Sequence, residues 1–317
     1  MKNLKRISVL LIAGMILVAG LAHAAAREKL KMVFSPDHDF VMDASIAIEK
    51  GFFNQLGLDL DYVTVKGGSP VIIATLPQKD INGVFLASPT ALTAIDKGID
   101  LVQISGIGNR TFDYVVLKDS PVKSLKDLNG KTIANTPKPA GPWLALKYDL
   151  DKFNVKAKVV EMRTGGDRFS ALLTGHVDAC LSSPQAQALY GDEIRIVHSS
   201  TMSKYIWNSC GWWIKREFLK AHPEAARRFV KGLAMARKLI NENPDEAVNI
   251  FSKYGKIRNK RFKKPFVLAQ FDNPPVIYAY GLGKVNEILQ QYGLMNKKIN
   301  VSDIVDNRFS IVINHSY

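Results

Sequence analysis

Apolar and polar positions along this chain switch repeatedly between two periods. Short runs rich in β-branched and aromatic residues, "LKMVFS" (30–35), "LDLDYVTV" (58–65), "NGVFLAS" (82–88) and "DLVQISG" (100–106), read as strands. Between them, "MDASIAIEKGFF", "SPVIIATL" and "SPTALTAIDKG" carry apolar residues at helical spacing. The alternation resumes with "GKTIANT" (130–136), "AKVVEM" (157–162) and "HVDACLSS" (176–183) as strands, interleaved with "GPWLALKYDLDKF" and "GDRFSALLTG" as helices. Strands separated by single helices argue for parallel sheet in an α/β architecture. After "GWWIK" the pattern turns mainly helical, through "HPEAARRFVKGLAMARKLINENPDEAVNIFSKYG" and "PPVIYAYGLGKVNEILQQYG".

One corner occurs twice. "LASPTALTAI" (86–95) and "LSSPQAQALY" (181–190) both follow an apolar run and both place Ser-Pro where a strand gives way to a helix. Ser69-Pro70, Ser88-Pro89, Ser183-Pro184 and Asn243-Pro244 each set an N-cap acceptor before a proline at the first helical position. Gly98, Gly175, Gly191 and Gly255 stand where helices close. A helix start at the carboxyl end of a parallel strand presents unpaired N–H groups and the positive end of a dipole, and ligands of open α/β sheets bind there. Two such corners predict two similar lobes that grip a small molecule from both sides.

The first residues change the picture of where the chain works. "MKNLKRISVLLIAGMILVAGLAHAAA" has a basic start, an apolar stretch from Ile7 to Leu21 and a small-x-small site at Ala22-His23-Ala24, the pattern of a secretory signal peptide over residues 1–24. The apolar stretch is shorter than the roughly 20 residues a membrane span needs. No cysteine stands at the cleavage site for a lipid anchor. Loss of Lys2, Lys5 and Arg6 lowers the formal charge from +14 to +11. Export argues against nucleic acid as the partner of this basic chain, and the run "KYGKIRNKRFKKP" (253–265) reads as a solvated turn. Positive charge still draws small anions toward a cleft. Cys180 and Cys210 are compatible with two buried thiols or one disulfide, and neither belongs to a CxxC motif.

Several segments in order resemble one family. "AIEKGFFNQLGLDLDYV" (47–63), "SLKDLNGKTIANT" (124–136), "ALLTGHVDACLSSP" (171–184) and "FLKAHPEAARRFVKGLAMARKLINENPDEAVNIF" (218–251) are similar to the type 2 periplasmic solute-binding proteins of ABC importers, in the branch for nitrate, sulfonates, taurine, bicarbonate and thiamine-precursor pyrimidines. The resemblance implies a type 2 periplasmic-binding-protein fold: two α/β lobes, two mixed sheets flanked by helices, and two hinge crossovers. The first lobe is expected over 27–117 and 211–317 and the second over 118–210. Closure on a solute would be a two-state domain motion. Departures fall at presumed contacts: "QKDINGVF" replaces a Gly-x-x-Asp turn, "TPKPAGPWLAL" a small Ser/Gly-rich turn, and Ser183 an acidic residue.

The expected ligand contacts are Ser35 and His38 after the first strand, Ser88 and Ser183 at the paired corners, and Asn109 and Thr136 after strands at the crossover and second lobe. Trp143 is placed to stack on a planar solute or to pack in the core, and Arg163 to pair a carboxylate or sulfonate or to form a surface ion pair. Asp37-His38-Asp39 lacks a second His cluster to complete a metal site. Neither Trp212 nor Trp213 can be assigned to the cleft, because neighbouring strand residues face opposite sides. GxSxG, HExxH, P-loop and GxGxxG motifs are all missing. The expectation is a monomeric exported binding protein, without cofactor or catalysis, that hands a small, anionic organic solute to an inner-membrane ABC permease. An exported sensor, or an enzyme on the same fold acting on a small aromatic or carboxylate substrate, stands as the alternative.

Overall fold

The computed structural model describes residues 27–35, 39–65, 69–108, 112–182, 191–201, 208–255 and 271–315. The expected signal peptide and most of the basic run that follows Lys253 lie outside these residues. Strands β1 (Glu28–Phe34), β2 (Leu58–Thr64), β3 (Gly83–Ala87) and β4 (Leu101–Ile107) alternate with helices α1 (Met42–Glu49), α2 (Phe52–Gln55), α3 (Ser69–Thr75) and α4 (Ser88–Asp96). The second series is β5 (Asp113–Leu117), β6 (Thr132–Asn135), α5 (Gly141–Lys152), β7 (Lys158–Glu161), α6 (Gly165–Leu173), β8 (Ala179–Ser182) and β9 (Ile194–Ser199). The chain then forms β10 (Cys210–Lys215), α7 (Arg216–Ala221), α8 (Pro223–Glu242), α9 (Pro244–Gly255), β11 (Val276–Tyr278), α10 (Ala279–Gln291) and β12 (Ile311–Ile313).

The first sheet runs β2-β1-β3-β10-β4 and the second β7-β6-β8-β5-β9. In both, a parallel trio lies beside one antiparallel strand: β10 opposes β3 and β4, and β5 opposes β8 and β9. With the antiparallel strand set aside, both sheets have the same order: the second strand, the first, the third and then the fourth. Each antiparallel strand is the first one the chain makes after leaving the other sheet.

Two expectations are corrected here. The first lobe was expected to extend to 117, but β5 pairs with β8 and β9, so the chain crosses before Asp113; likewise β10 begins at Cys210 in the first sheet. "PPVIYAY" was expected to open a helix, yet Val276–Tyr278 pairs in parallel with Ile311–Ile313, and α10 starts only at Ala279. The reason is tertiary: a three-residue strand whose partner comes later in the chain leaves no local period to read.

Capping also divides the Ser-Pro and Asn-Pro corners. Asn243 Oδ1 accepts the Glu246 N–H at 3.3 Å, as expected of an N-cap. Ser88 does not cap; α4 has Ala87 at its N-cap, without a side-chain bond.

Alternation along β1 sends Leu30, Met32 and Phe34 into one apolar cluster and Val33 into another across the sheet. β10 does the same with Trp212 and Trp213, both 0% exposed. Trp212 sits edge-on to Phe34, Phe85 and Phe229, with ring centroids 5.7, 4.9 and 5.1 Å away. Trp213 joins the cluster that runs from Val84 and Leu92 through Leu282 to Leu144 and Ile133, spanning both sheets. Both indoles are therefore core. Trp212→Ala should lower unfolding free energy by about 3–5 kcal/mol, the usual cost of emptying a large buried site. A urea denaturation curve would read this as a lower midpoint at unchanged slope.

Candidate functional site

The described ends of the two crossings are bonded to each other. Ser209 N–H donates to Ile107 O at 3.0 Å, and Ser200 N–H donates to Phe112 O at 2.8 Å, so the passages are bonded where they leave each sheet. Ser88 N–H donates to Ser209 O at 2.8 Å, fixing the first Ser-Pro corner to the returning crossing. In the second sheet Ser182 pairs opposite Asp113, which fixes the other corner to the outgoing crossing. Asp113 Oδ1 also accepts the Ser199 hydroxyl at 2.6 Å. The repeated strand ends thus meet at the paired crossings.

Around them, Ser35 is buried at the end of β1, next to β3 and its Ser88. Thr136 follows β6 and Arg163 follows β7, whose Glu161 pairs with Asn135, so these two corners are also neighbours. The Thr136 hydroxyl oxygen is buried with no hydrogen-bond partner among the described residues, as is Asn135 Oδ1. Arg163 is exposed at the outer edge of the second sheet. Trp143, half-buried in the first turn of α5, packs edge-on against Tyr292 at 6.1 Å between ring centroids, and Lys147 Nζ lies 5.6 Å from the same tyrosine ring. Its ring therefore takes part in a contact between α5 and the end of α10. His38, Asn109 and Ser183 lie outside the described residues.

Sequence reading missed the buried polar groups behind these corners. Arg237 and Asp43 are both 0% exposed and pair at 2.8 Å. Arg237 also donates to Asp272 O at 3.1 Å, Ser105 Oγ at 3.2 Å and Gly106 O at 3.2 Å. Burial pushes the Asp43 carboxyl up, and the Arg237 guanidinium opposes that shift. The signal was present in α8: Arg237 stands in the stripe of Phe229, Val230, Leu233, Ala236 and Ile240, where an arginine needs a partner. Gln103, amid the apolar "LVQISG", and Asn208 are likewise fully buried.

A second cluster braces α5. Asp149, wholly buried, accepts the Tyr114 hydroxyl at 3.1 Å and the Thr201 N–H at 3.0 Å. His198 Nε2 lies 3.8 Å from Asp149 Oδ2. Burial lowers the His198 pKa, against the opposing charges of Asp149 and Asp113.

Cys180 and Cys210 are buried in different sheets and form no disulfide, and burial pushes the Cys180 thiol up to about 12. Among the described residues no helix is long and apolar enough to cross a membrane, and no group of three or more His, Cys, Asp or Glu residues is arranged to hold a metal.

Two mixed sheets of one topology, joined by two bonded crossings, define the periplasmic-binding-protein architecture. The aliphatic sulphonate binding protein SsuA of Escherichia coli shares it at a TM-score of 0.73, with 15% identity over 88% of this chain and 92% of that one. The alkanesulfonate-binding SsuA of Xanthomonas axonopodis, bound to MOPS, aligns at 0.67, with 17% identity over 89% and 99% of the two chains. Residues 40–247 match the NMT1/THI5-like family model, and the chain belongs to that family. A Haemophilus influenzae protein named as a candidate for thiamine biosynthesis is 28% identical over 165 residues, 50% of this chain and 51% of that protein. The chain thus spans about half the length of the curated relative it matches.

Two predictions follow from the buried groups. Arg237→Met strands the Asp43 charge and should cost about 3–5 kcal/mol in urea unfolding, whereas Asp43→Leu combined with Arg237→Met should recover most of it. Because the His198 pKa in the fold is below its ordinary 6.5, its contribution to stability is complete above that pH and is lost as pH falls through the lowered value. Urea midpoints at pH 7.5 and 5.5 should therefore differ less in His198→Gln than in the unaltered protein.

Proposed function

We propose that this chain is an exported solute-binding protein that captures a small, anionic organic solute between its lobes and delivers it to an ABC permease of the inner membrane. It works as a monomer, by closure alone, with no bond made or broken in the solute. The observation that carries this reading is the duplicated corner: the Ser88 end of β3 and the Ser182 end of β8 are both bonded to strands or residues that border the crossings about which two lobes would move. Helix starts at such strand ends favour negative charge. The basic balance of the chain, +14 overall, favours the same sign of solute.

The proposed contacts are Ser35, Ser88, Thr136 and Arg163, joined by His38, Asn109, Trp143 and Ser183. Residues 1–24 are removed on export to the periplasm. The sulfonate-binding names of the structural neighbours favour a sulfonate-like solute. A second ligand class, a thiamine-precursor pyrimidine, is favoured by the name of the Haemophilus relative.

Melting curves of the ligand-stripped mature protein with aliphatic sulfonates, carboxylates and aminopyrimidines test the reading. A solute at about 100 times its dissociation constant adds about 2.7 kcal/mol and raises the melting point by a few degrees. Small-angle scattering should show the same solute reducing the radius of gyration, and chromatography should return it unchanged. No shift with any class, or conversion of the solute, would reject the proposal.

A further inference from the structure

A contact between two lobes that move is made, broken or shifted by the motion, and so weights one arrangement over the others. We infer that Tyr292 of α10, with Trp143 and Lys147 of α5, forms a clasp between the lobes that holds them at the angle seen here and so regulates how readily the cleft changes width. The clasp presupposes the solute-binding reading above, and it needs no contact between Tyr292 and the solute.

Each side of the clasp is tied to a different sheet. Helix α10 follows β11, whose Val276 O lies against Gly106 of β4. Gly293, in the left-handed region at φ 64°, ends that helix one residue past Tyr292. The chain beyond is pinned to α4, where Asp96 accepts the Lys297 N–H at 2.8 Å and the Asn296 N–H at 3.2 Å. Helix α5 belongs to the second sheet: Pro142 O accepts from Asn135 Nδ2 of β6 at 3.1 Å, and Asp149 accepts the Tyr114 hydroxyl of β5 at 3.1 Å. Tyr292 therefore moves with the first lobe, and Trp143 and Lys147 with the second.

Where they meet, the indole and phenol rings stand edge-on, 6.1 Å apart with an angle of 86° between their planes. Lys147 Nζ lies 5.6 Å from the centre of the Tyr292 ring while bonded to Asp151 Oδ1 at 2.6 Å. Attraction between aromatic rings depends on their distance and angle, so rotation of one lobe against the other changes its strength. Deeper in, Leu144 of α5 and Leu289 of α10, both 0% exposed, belong to one apolar cluster. Tyr292 is half-buried at the rim of this seam, so truncating it loosens the clasp without emptying a core site.

Spin labels on Asp59→Cys in β2 and Lys158→Cys in β7, exposed positions on the edge strand of each sheet, report the distance between lobes without any solute. Burial shields Cys180 and Cys210 from the label. Double electron–electron resonance on this pair should return one narrow distribution in the otherwise unaltered protein. Tyr292→Ala should raise the population at other distances about two- to tenfold, the worth of one aromatic pair. Tyr292→Phe keeps the ring and should match the unaltered protein. Urea unfolding checks that each variant folds; should Tyr292→Ala not, Trp143→Leu removes the ring from the other side, with the same expectation. A distribution left narrow in the folded variant, one already broad in the unaltered protein, or equal broadening by Tyr292→Phe overturns the clasp and leaves the solute-binding reading standing. Absence of any shift in the solute screen rejects that reading, while these distances still decide the clasp.

Discussion

Everything in this molecule is arranged around the antiparallel strand that each sheet receives directly after a crossing. The chain leaves β4, crosses, and inserts β5 beside β8; it returns from β9 and inserts β10 beside β3. The second sheet comes from one contiguous run, β5 to β9, whereas the first is complete only when the chain returns as β10. The consequence is geometric: the strand beside each repeated corner is the one that has just crossed, so the corners and the crossings are bound to meet. β10 shows how firmly this is anchored, since it carries a buried tryptophan into the core on each of its faces. The hydrogen bonds at Ile107–Ser209 and Phe112–Ser200 then hold the crossings in register at either end.

Behind the crossings the protein buries polar groups that a simpler core would omit. Removing charges from water costs several kcal/mol per ion, so the Arg237–Asp43 pair is tolerable only with its additional bonds to Ser105, Gly106 and Asp272 in place. Those bonds draw together α1, α8, β4 and the residues before β11. Gln103 and Asn208 act in the same way between β4, β10 and the Ser88 corner. Networks of this kind add little net stability compared with apolar packing, but they are satisfied in one arrangement only. They fix where the strand ends point.

The readable part of this design was periodic. Alternating strands and helices, the repeated Ser-Pro corner and the two-sheet architecture all came from local patterns of two to four residues. Sheet membership did not: "DYVVL" is apolar wherever it pairs, and nothing local places Asp113–Leu117 in the second sheet. Val276–Tyr278 was hidden for the same reason, its partner being Ile311–Ile313. Ser88 was legible as a corner residue but misread as a cap, because its hydroxyl answers to Asn208, 120 positions later. Arg237 and Asp43 are 194 positions apart, and only the apolar stripe around Arg237 betrays that a partner exists.

The two halves are alike in topology and unlike in which polar groups stand at their strand ends. At the end of β3 the Ser88 oxygen and Gln103 Oε1 both accept from the Asn208 amide, while Asn208 Oδ1 and the Ser209 hydroxyl are buried without partners among the described residues. At the end of β6, Asn135 donates to Pro142 O at 3.1 Å, and its Oδ1 and the neighbouring Thr136 hydroxyl are likewise buried without partners among the described residues. A buried acceptor left without a donor costs free energy that a satisfied one does not. Helix α5 differs in its approach, which "TPKPAGP" stiffens with prolines, although neither it nor α4 has a side-chain cap. A duplicated scaffold therefore does not imply duplicated chemistry. Topology brings both corners to the crossings, and the side chains standing behind each one determine which polar groups are already spoken for and which are not.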